Sequence, residues 1–572
     1  MAETSSGMIA VIEAKPHTPI YTMHKYFARR PWNVFSALIE GYSSPSEIVL
    51  DPFCGGGVTI VESLKLRRKA VGIDLNPLAT YVTEMECKHA DLNHFRDTFR
   101  LLDSRVGREI SSLYETKCRN CSGSAIADWI EWDESTRTIE RVKYDCPNCG
   151  SLESPAEKED ARLATRIGKE SAEIIESKKL WYPNTRIPNG DKTDSLLFRG
   201  IKSFNELFTS RNLLALSQLL DAIESVNDRD TAEWLKFAFS SSLKWASRQS
   251  HLRGKIVEGW AMHAYWIYPK SLEINVWNTF RRRTAAVLRG KEYGNDQLGD
   301  YVKIGRNFVD LTKGAATCLL VTGSSTRISL PDNSIDAIIT DPPYGGNVNY
   351  AELSDYWHIW TNKGVTIDKN EELIINKTQG KKREQYETIL GAVLSECYRV
   401  LKPDRYLVST FNSKDVRIVA SFVVAASRAG LTLLPHGAVY QNPIRSYNTT
   451  FHAMQIGAFV GDFIFKFQKK TTNLPSTMRN IHFDDLKQSL SKLISESVRG
   501  QITEPQLREK SYNELIPFLA TNAQTDQLIC NEATQFFETK MREHQQHFRE
   551  LRKRITQKRR RTYRSKHLGS NT

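Results

Sequence analysis

Residues 46–90 constrain the fold more than any other part of the chain. EIVLDPF reads as a short apolar strand, CGGG as a turn and VTIVESLKLRR as an amphipathic helix. KAVGIDL then reads as a second strand and NPLATYVTEME as a second helix. Two strands joined through a helix lie parallel, and the crossover between them is right-handed, so this stretch demands a parallel sheet. A second alternating region runs from about Ala315 to Phe467. It offers strands at TCLLVTG, IDAIITD, RYLVSTF, LTLLPHGAVY and GDFIFKF, with a helix at QYETILGAVLSECYRVL. The expected fold is an α/β sheet split by a long insertion and followed by a helical tail.

The turn Asp51-Pro-Phe-Cys-Gly-Gly-Gly-Val-Thr59 ends a strand and opens a helix. Gly55 and Gly57 are free to take positive φ and let backbone approach a ligand, and the helix N-terminus behind them favours negative groups. Asp74 ends the next strand, where a carboxylate accepts hydrogen bonds from ribose hydroxyls. Together these describe a nucleoside-cofactor site at the carboxyl edge of a parallel sheet. The glycines do not follow the GxGxxG spacing of dinucleotide sites.

The strand Ile335-Asp-Ala-Ile-Ile-Thr340 runs directly into Asp341-Pro342-Pro343-Tyr344. Two prolines stop the strand and stiffen the loop, which holds the Asp341 carboxylate and nearby carbonyls in place as acceptors. An exocyclic amine is a poor nucleophile because its lone pair is delocalised into the ring. Acceptors on its two hydrogens favour the pyramidal form in which that pair can attack, and Tyr344 offers a face on which an extruded base can stack.

With these residues in view, DPFCGGG, GIDLNP and TDPPY together resemble the amino-methyltransferases that act on adenine N6 or cytosine N4 in DNA. Met23-His-Lys-Tyr-Phe-Ala-Arg-Arg-Pro-Trp32 is similar to the element that closes over the cofactor in that family, and the glycine motif preceding DPPY matches its α-type order. DPPYGGNVNYAELSDYWHIW and the cysteine-bearing insert resemble the zinc-ribbon-containing adenine-specific DNA methylases. The resemblance implies a Rossmann-like S-adenosylmethionine-dependent methyltransferase sheet. Tyr26, Asp51, Phe53, Gly55, Gly57, Thr59 and Asp74 would bind S-adenosylmethionine, and Asp341, Pro342, Pro343 and Tyr344 would act on the base, with Asn347 and Tyr350 behind them. Two departures stand out. Val321-Thr-Gly-Ser-Ser325 lacks the Asp common after that strand, and Asp404-Arg405 replaces two commoner glycines.

Cys118-x2-Cys121 and Cys146-x2-Cys149 are spaced for a closed, structural Zn2+ site built from two knuckles. Downstream, Trp260, Tyr265, Trp266, Tyr268 and Trp277 are read mostly as core, and Arg281-Arg-Arg283 as the better candidate for DNA-backbone contact. The expected division is 20–95 (cofactor part), 110–155 (zinc-ribbon-like insert), 156–310 (helical and aromatic insert, target recognition), 311–470 (DPPY part) and 471–572 (helical, basic).

Charge agrees with a polyanionic partner. The net charge is +13, and +9 of it falls in residues 541–572, where counterion release favours a nucleic-acid partner; the resemblance implies that this is double-stranded DNA. No apolar run is long enough for a membrane span, and the N-terminus lacks the order of a secretory signal. Nine cysteines in this length do not make a disulfide scaffold, so a cytoplasmic setting is expected. A cognate restriction or defence-system protein is a possible partner. The leading reading is a site-specific adenine-N6 DNA methyltransferase. Cytosine N4 is its nearest rival, followed by a tRNA guanine-N2 methyltransferase and a non-enzymatic DNA-binding protein.

Overall fold

The computed structural model describes residues 12–411, 413, 415–441, 462–471 and 482–568. The last four residues of the basic tail lie outside them. The fold is mixed α/β, and the chain separates into two compact units.

The larger unit comprises Pro16–Ser325 and Gly346–Lys382. Its parallel strands run in the order Ile304–Gly305, Cys318–Thr322, Lys69–Asp74, Ile48–Asp51. Ile48–Asp51 is buried along its length, as a strand covered on both faces must be. Asp51 pairs with Gly72 and Thr322 with Asp74, so both acidic residues sit at carboxyl ends of the sheet. The helix Val58–Lys65 makes the crossover, and Pro77–Cys87 begins with Pro at its first position and an Asn76 side chain accepting from Leu78 N–H. The insertion adds an antiparallel sheet, Glu115–Lys117, Ser124–Asp133, Thr138–Cys146 and Gly150–Pro155, with Lys270–Ile274 on the other edge of Ser124–Asp133. Long helices Ser210–Glu224, Arg229–Ala246 and Val276–Leu298 pack beside it.

The smaller unit includes Thr326–Gly345 and the chain from Arg383 onward. Ile335–Thr340 pairs in parallel with Leu401–Phe411, which pairs antiparallel with Asp462–Gln468, and Thr432–Gln441 closes that edge. Asp404 takes φ 60°, the left-handed region that Asp tolerates better than most residues. Its carboxylate accepts from Thr471 Oγ1 at 2.5 Å and Thr471 N at 3.2 Å, which is how an acid serves where glycine is commoner. The helices Phe483–Val498, Glu504–Asn522 and Gln527–Leu568 follow. Among the described residues no helix is long and apolar enough to cross a membrane.

Candidate active site

The glycine turn is held from inside. Asp51 is 3% exposed; its Oδ1 accepts from Phe53 N at 3.1 Å and its Oδ2 from Thr59 Oγ1 at 2.6 Å. Asp51 and Thr59 therefore clamp the two ends of the turn to each other. Gly55 and Gly57 have φ of 48° and 78°. A Cβ at Gly57 would lie 2.7 Å from Thr83 Oγ1, so only glycine fits there. The Gly55 N–H donates to Asp74 Oδ2 and the Asn76 N–H to Asp74 Oδ1, both at 2.9 Å. Burial pushes the Asp74 carboxyl up to about 6, against the downward pull of those two N–H groups. Each of its oxygens keeps a lone pair beyond them, which suits ribose hydroxyls.

Tyr26 lies over the turn, its ring carbon 3.3 Å from where a Gly55 Cβ would be, and stacks on Tyr350 at 6.5 Å and 18°. Asn76 Nδ2 donates to Ser354 Oγ at 2.7 Å, which ties the helix Tyr350–Thr361 to the strand end at Asp74. Arg29 donates to the Gly56 carbonyl and pairs with the buried Glu86 at 2.9 Å. Burial raises the Glu86 carboxyl to about 7 although Arg29 pulls it down. A cradle lined by glycine backbone, with a buried carboxylate at the strand end and aromatic rings above, fits a nucleoside-bearing cofactor. Where the expected Asp is missing, Thr322 shares a 2.5 Å hydrogen bond with Thr80, and Ser325 Oγ donates to Pro52 O at 2.7 Å.

In the smaller unit Asp341 follows the strand Ile335–Thr340 and is half-buried. Its Oδ1 accepts from Thr410 Oγ1 at 2.6 Å and from the Tyr344 hydroxyl. The Tyr344 ring packs edge-on to Phe411 at 4.8 Å. The Pro343 carbonyl accepts from the Tyr386 hydroxyl at 2.7 Å, which fixes the second proline peptide. DPPY thus presents a carboxylate and an aromatic ring held by residues 43 to 69 positions downstream, on the helix Arg383–Val400 and the strand Leu401–Phe411. Thr410, Tyr386 and Phe411 carry no local sequence signal of this role.

A family model described as DNA methylase, of the N6/N4 type, matches residues 10–85 and 335–565. The chain belongs to this family of DNA methylases. Membership makes it a methyltransferase of exocyclic amino groups in DNA and implies S-adenosylmethionine as donor. The type II methyltransferase M.MjaII of Methanocaldococcus jannaschii is 22% identical over 417 residues, covering 68% of this chain and 69% of that one. A solved structure from Thermus thermophilus, described as a DNA modification methylase, is 16% identical. It covers 29% of this chain and 61% of its own, with a TM-score of 0.16, too low to argue a shared fold.

In the methylase's insert, the ligand atoms of Cys118, Cys121, Cys146 and Cys149 all lie within 4.8 Å of one another, with Cys121 Sγ and Cys146 Sγ 3.6 Å apart. Four sulfurs bound to one ion at about 2.3 Å sit roughly 3.8 Å apart, so the cluster fits a tetrahedral metal. N–H groups of Cys121 and Asn120 lower the Cys118 thiol to about 6, towards the thiolate a metal needs.

The aromatic segment divides. Trp260, Tyr265 and Trp277 are buried, and Tyr268 is half-buried, stacked on His251. Trp266 alone of the five is exposed, at 44%. The three arginines have different surroundings. Arg283 turns inward to the Thr22 and Met23 carbonyls at 2.7 Å, and Arg282 reaches Asp128 at 3.3 Å. Arg281 is exposed.

Proposed function

We propose that this methylase transfers the methyl group to adenine N6 in double-stranded DNA, at a base turned out of the helix. The observation that carries the choice of base is Asp341 at the head of DPPY, held by Thr410. The N4-cytosine enzymes that this chain also resembles often have a serine at that position. S-adenosylmethionine, when bound, supplies a methyl group on a sulfonium that carries its own leaving group.

The chain's residues position and polarise. Asp341 and a proline carbonyl of the loop accept hydrogen bonds from the two N–H groups of the base amine, which frees its lone pair, and the proton that the amine loses on methylation passes to solvent. An entering amine displaces the Tyr344 hydroxyl from Asp341, and the Tyr344 ring then stacks on the base. Thr410 keeps Oδ1 aimed, and Tyr386 keeps the loop from relaxing. On the cofactor side Asp74 accepts the ribose hydroxyls, and Gly55 and Gly57 admit the donor to the backbone. Tyr26 and Phe53 cover it, and Asp51 with Thr59 holds the turn's shape.

The parallel strands and glycine turn are read as a Rossmann-like cofactor half. The cysteine cluster is read as a structural Zn2+ site, and residues 156–310 as the target-recognition insert. The likeness to M.MjaII suggests a restriction–modification setting with a cognate nuclease.

The test is incubation with tritiated S-adenosylmethionine and unmethylated duplex DNA, with total tRNA in parallel, followed by nucleoside mass spectrometry. N6-methyladenine in DNA is the expected product. N4-methylcytosine would correct the base, and label in tRNA alone would refute the reading.

A further inference from the structure

Within the larger unit, three segments are laced into one surface. Ser195 Oγ donates to Tyr265 O at 2.6 Å and Arg199 Nη1 to Ile267 O at 2.5 Å, which joins segment 188–200, with its short helix Asp194–Phe198, to loop 260–268. The start of segment 188–200 and the turn 376–381 are both seated on a buried carboxylate. Glu352, 3% exposed, accepts from Lys192 N at 3.0 Å, Asn376 Nδ2 at 2.8 Å and Gln379 Nε2 at 3.2 Å. Gly190 lies so close to that carboxylate that a Cβ there would overlap it. The turn 376–381 is tied to the same loop by Thr378 N donating to Asp191 at 3.1 Å.

The outward side of this rigid base is unusual in composition. Phe198 is 94% exposed and Trp266 44%, and the Arg199 guanidinium lies 4.2 Å over the Trp266 ring. Arg199, Lys377 and Lys382 are exposed and form no ion pair with any described residue. A single exposed apolar residue means little. Two exposed rings near cations that lack an acidic partner, on segments braced by a buried carboxylate and by each other, have the composition of a surface that stacks on bases and neutralises phosphates.

We propose that this face docks the DNA substrate, with Phe198 and Trp266 stacking on bases at an opened step and Arg199 and Lys377 on the flanking phosphates. The proposal rests on the reading of the chain as a DNA-modifying enzyme and names the surface that reading leaves open. Extruding a base leaves a gap in the stack, and proteins that open such gaps insert an apolar wedge into them.

The test measures affinity of the full chain for fluorescently labelled duplexes of mixed sequence, intact or with one abasic nucleotide, over a salt series. Phe198→Ala, Trp266→Ala and Arg199→Ala are compared with Leu101→Ala, an exposed apolar residue elsewhere (70% exposed). The wild type binds the abasic duplex more tightly. Phe198→Ala and Trp266→Ala each lower affinity by about fivefold to a hundredfold and erase that preference. Arg199→Ala reduces the log–log salt slope by about one. Leu101→Ala changes neither quantity, and it and the two ring variants keep the wild-type melting temperature and S-adenosylmethionine affinity.

Wild-type DNA affinity in the ring variants overturns the proposal. So does unchanged affinity with an altered mass by light scattering, which would assign the face to a second copy of the chain. DNA binding by the wild type without methyl label would refute the methyl-transfer reading alone. Labelled DNA with unchanged binding by the variants would refute the docking face alone.

Discussion

Gly57→Ala probes how tightly the glycine turn is built. Gly57 has φ 78°, and a Cβ there meets Thr83 Oγ1 at 2.7 Å, Cγ2 at 2.9 Å and Cβ at 3.1 Å. The left-handed backbone costs an alanine about 1–2 kcal/mol, and forcing the methyl group into a packed site adds about 1–3 kcal/mol. Thr83 has little room to yield. It is buried, and its hydroxyl donates to Ala79 O at 2.9 Å and Gly55 O at 3.3 Å. The expected loss is therefore about 2–5 kcal/mol, enough to distort the turn and abolish cofactor binding.

Thr83→Ala removes the two nearest atoms and leaves only the contact at 3.1 Å. The double variant should recover most of the overlap while keeping the backbone cost, a coupling of about 1–2 kcal/mol. Urea denaturation followed by tryptophan fluorescence gives the four stabilities, and calorimetry gives the cofactor affinities. Gly41→Ala is the control. Gly41 is an exposed helical residue with nothing within 4 Å of its Cβ position, and alanine there should stabilise by up to about 1 kcal/mol. Strictly additive losses for Gly57→Ala and Thr83→Ala would refute the packing argument.

Asp341→Ala should abolish methyl transfer with cofactor affinity unchanged. Thr410→Val, which removes one donor to Asp341, should lower kcat by about 10- to 100-fold at constant KM for S-adenosylmethionine; single-turnover kinetics and calorimetry check both. Cofactor affinity should fall as pH drops through about 6, because the Asp74 carboxyl, pushed up to about 6 by burial, then takes a proton and accepts hydroxyls poorly. The cofactor-free protein should instead gain stability from that residue over the same window, since burial favours its protonated form; Asp74→Asn should flatten both profiles. Elemental analysis should find one zinc per chain, lost in Cys118→Ser, and chelation should loosen the sheet around Ser124–Asp133 by hydrogen exchange. Deleting residues 541–572 should weaken DNA binding and flatten its salt dependence without changing the base methylated, measured by anisotropy and nucleoside analysis.

What was legible in the chain was what lies close together in it. Asp51 and Thr59 lie eight residues apart and Gly55 and Asp74 nineteen, so reading strand, turn and strand in order brings them to one sheet edge but does not say that they bond to one another. The CxxC pairs were legible because ligand spacing is itself a local property. Thr410, 69 residues beyond Asp341, and Glu352, 160 beyond Lys192, were not. A single hydroxyl or carboxylate has no period, and only the folded chain decides what it meets. The aromatic segment was legible as mostly core, and Trp260, Tyr265 and Trp277 are buried, but which ring faces out was not, for a related reason. Trp260 and Trp266 lie in an irregular stretch, where neither the helical nor the strand period says which ring faces out.

The arginine triplet, by contrast, was legible in principle. Arg281, Arg282 and Arg283 are consecutive in the helix Val276–Leu298, and successive helical side chains point about 100° apart. Three such residues do not share one face of the helix. Arg283 is the one that turns inward, and the insert's long helix uses it to hold the Thr22 and Met23 carbonyls, in the segment that leads into the cofactor turn.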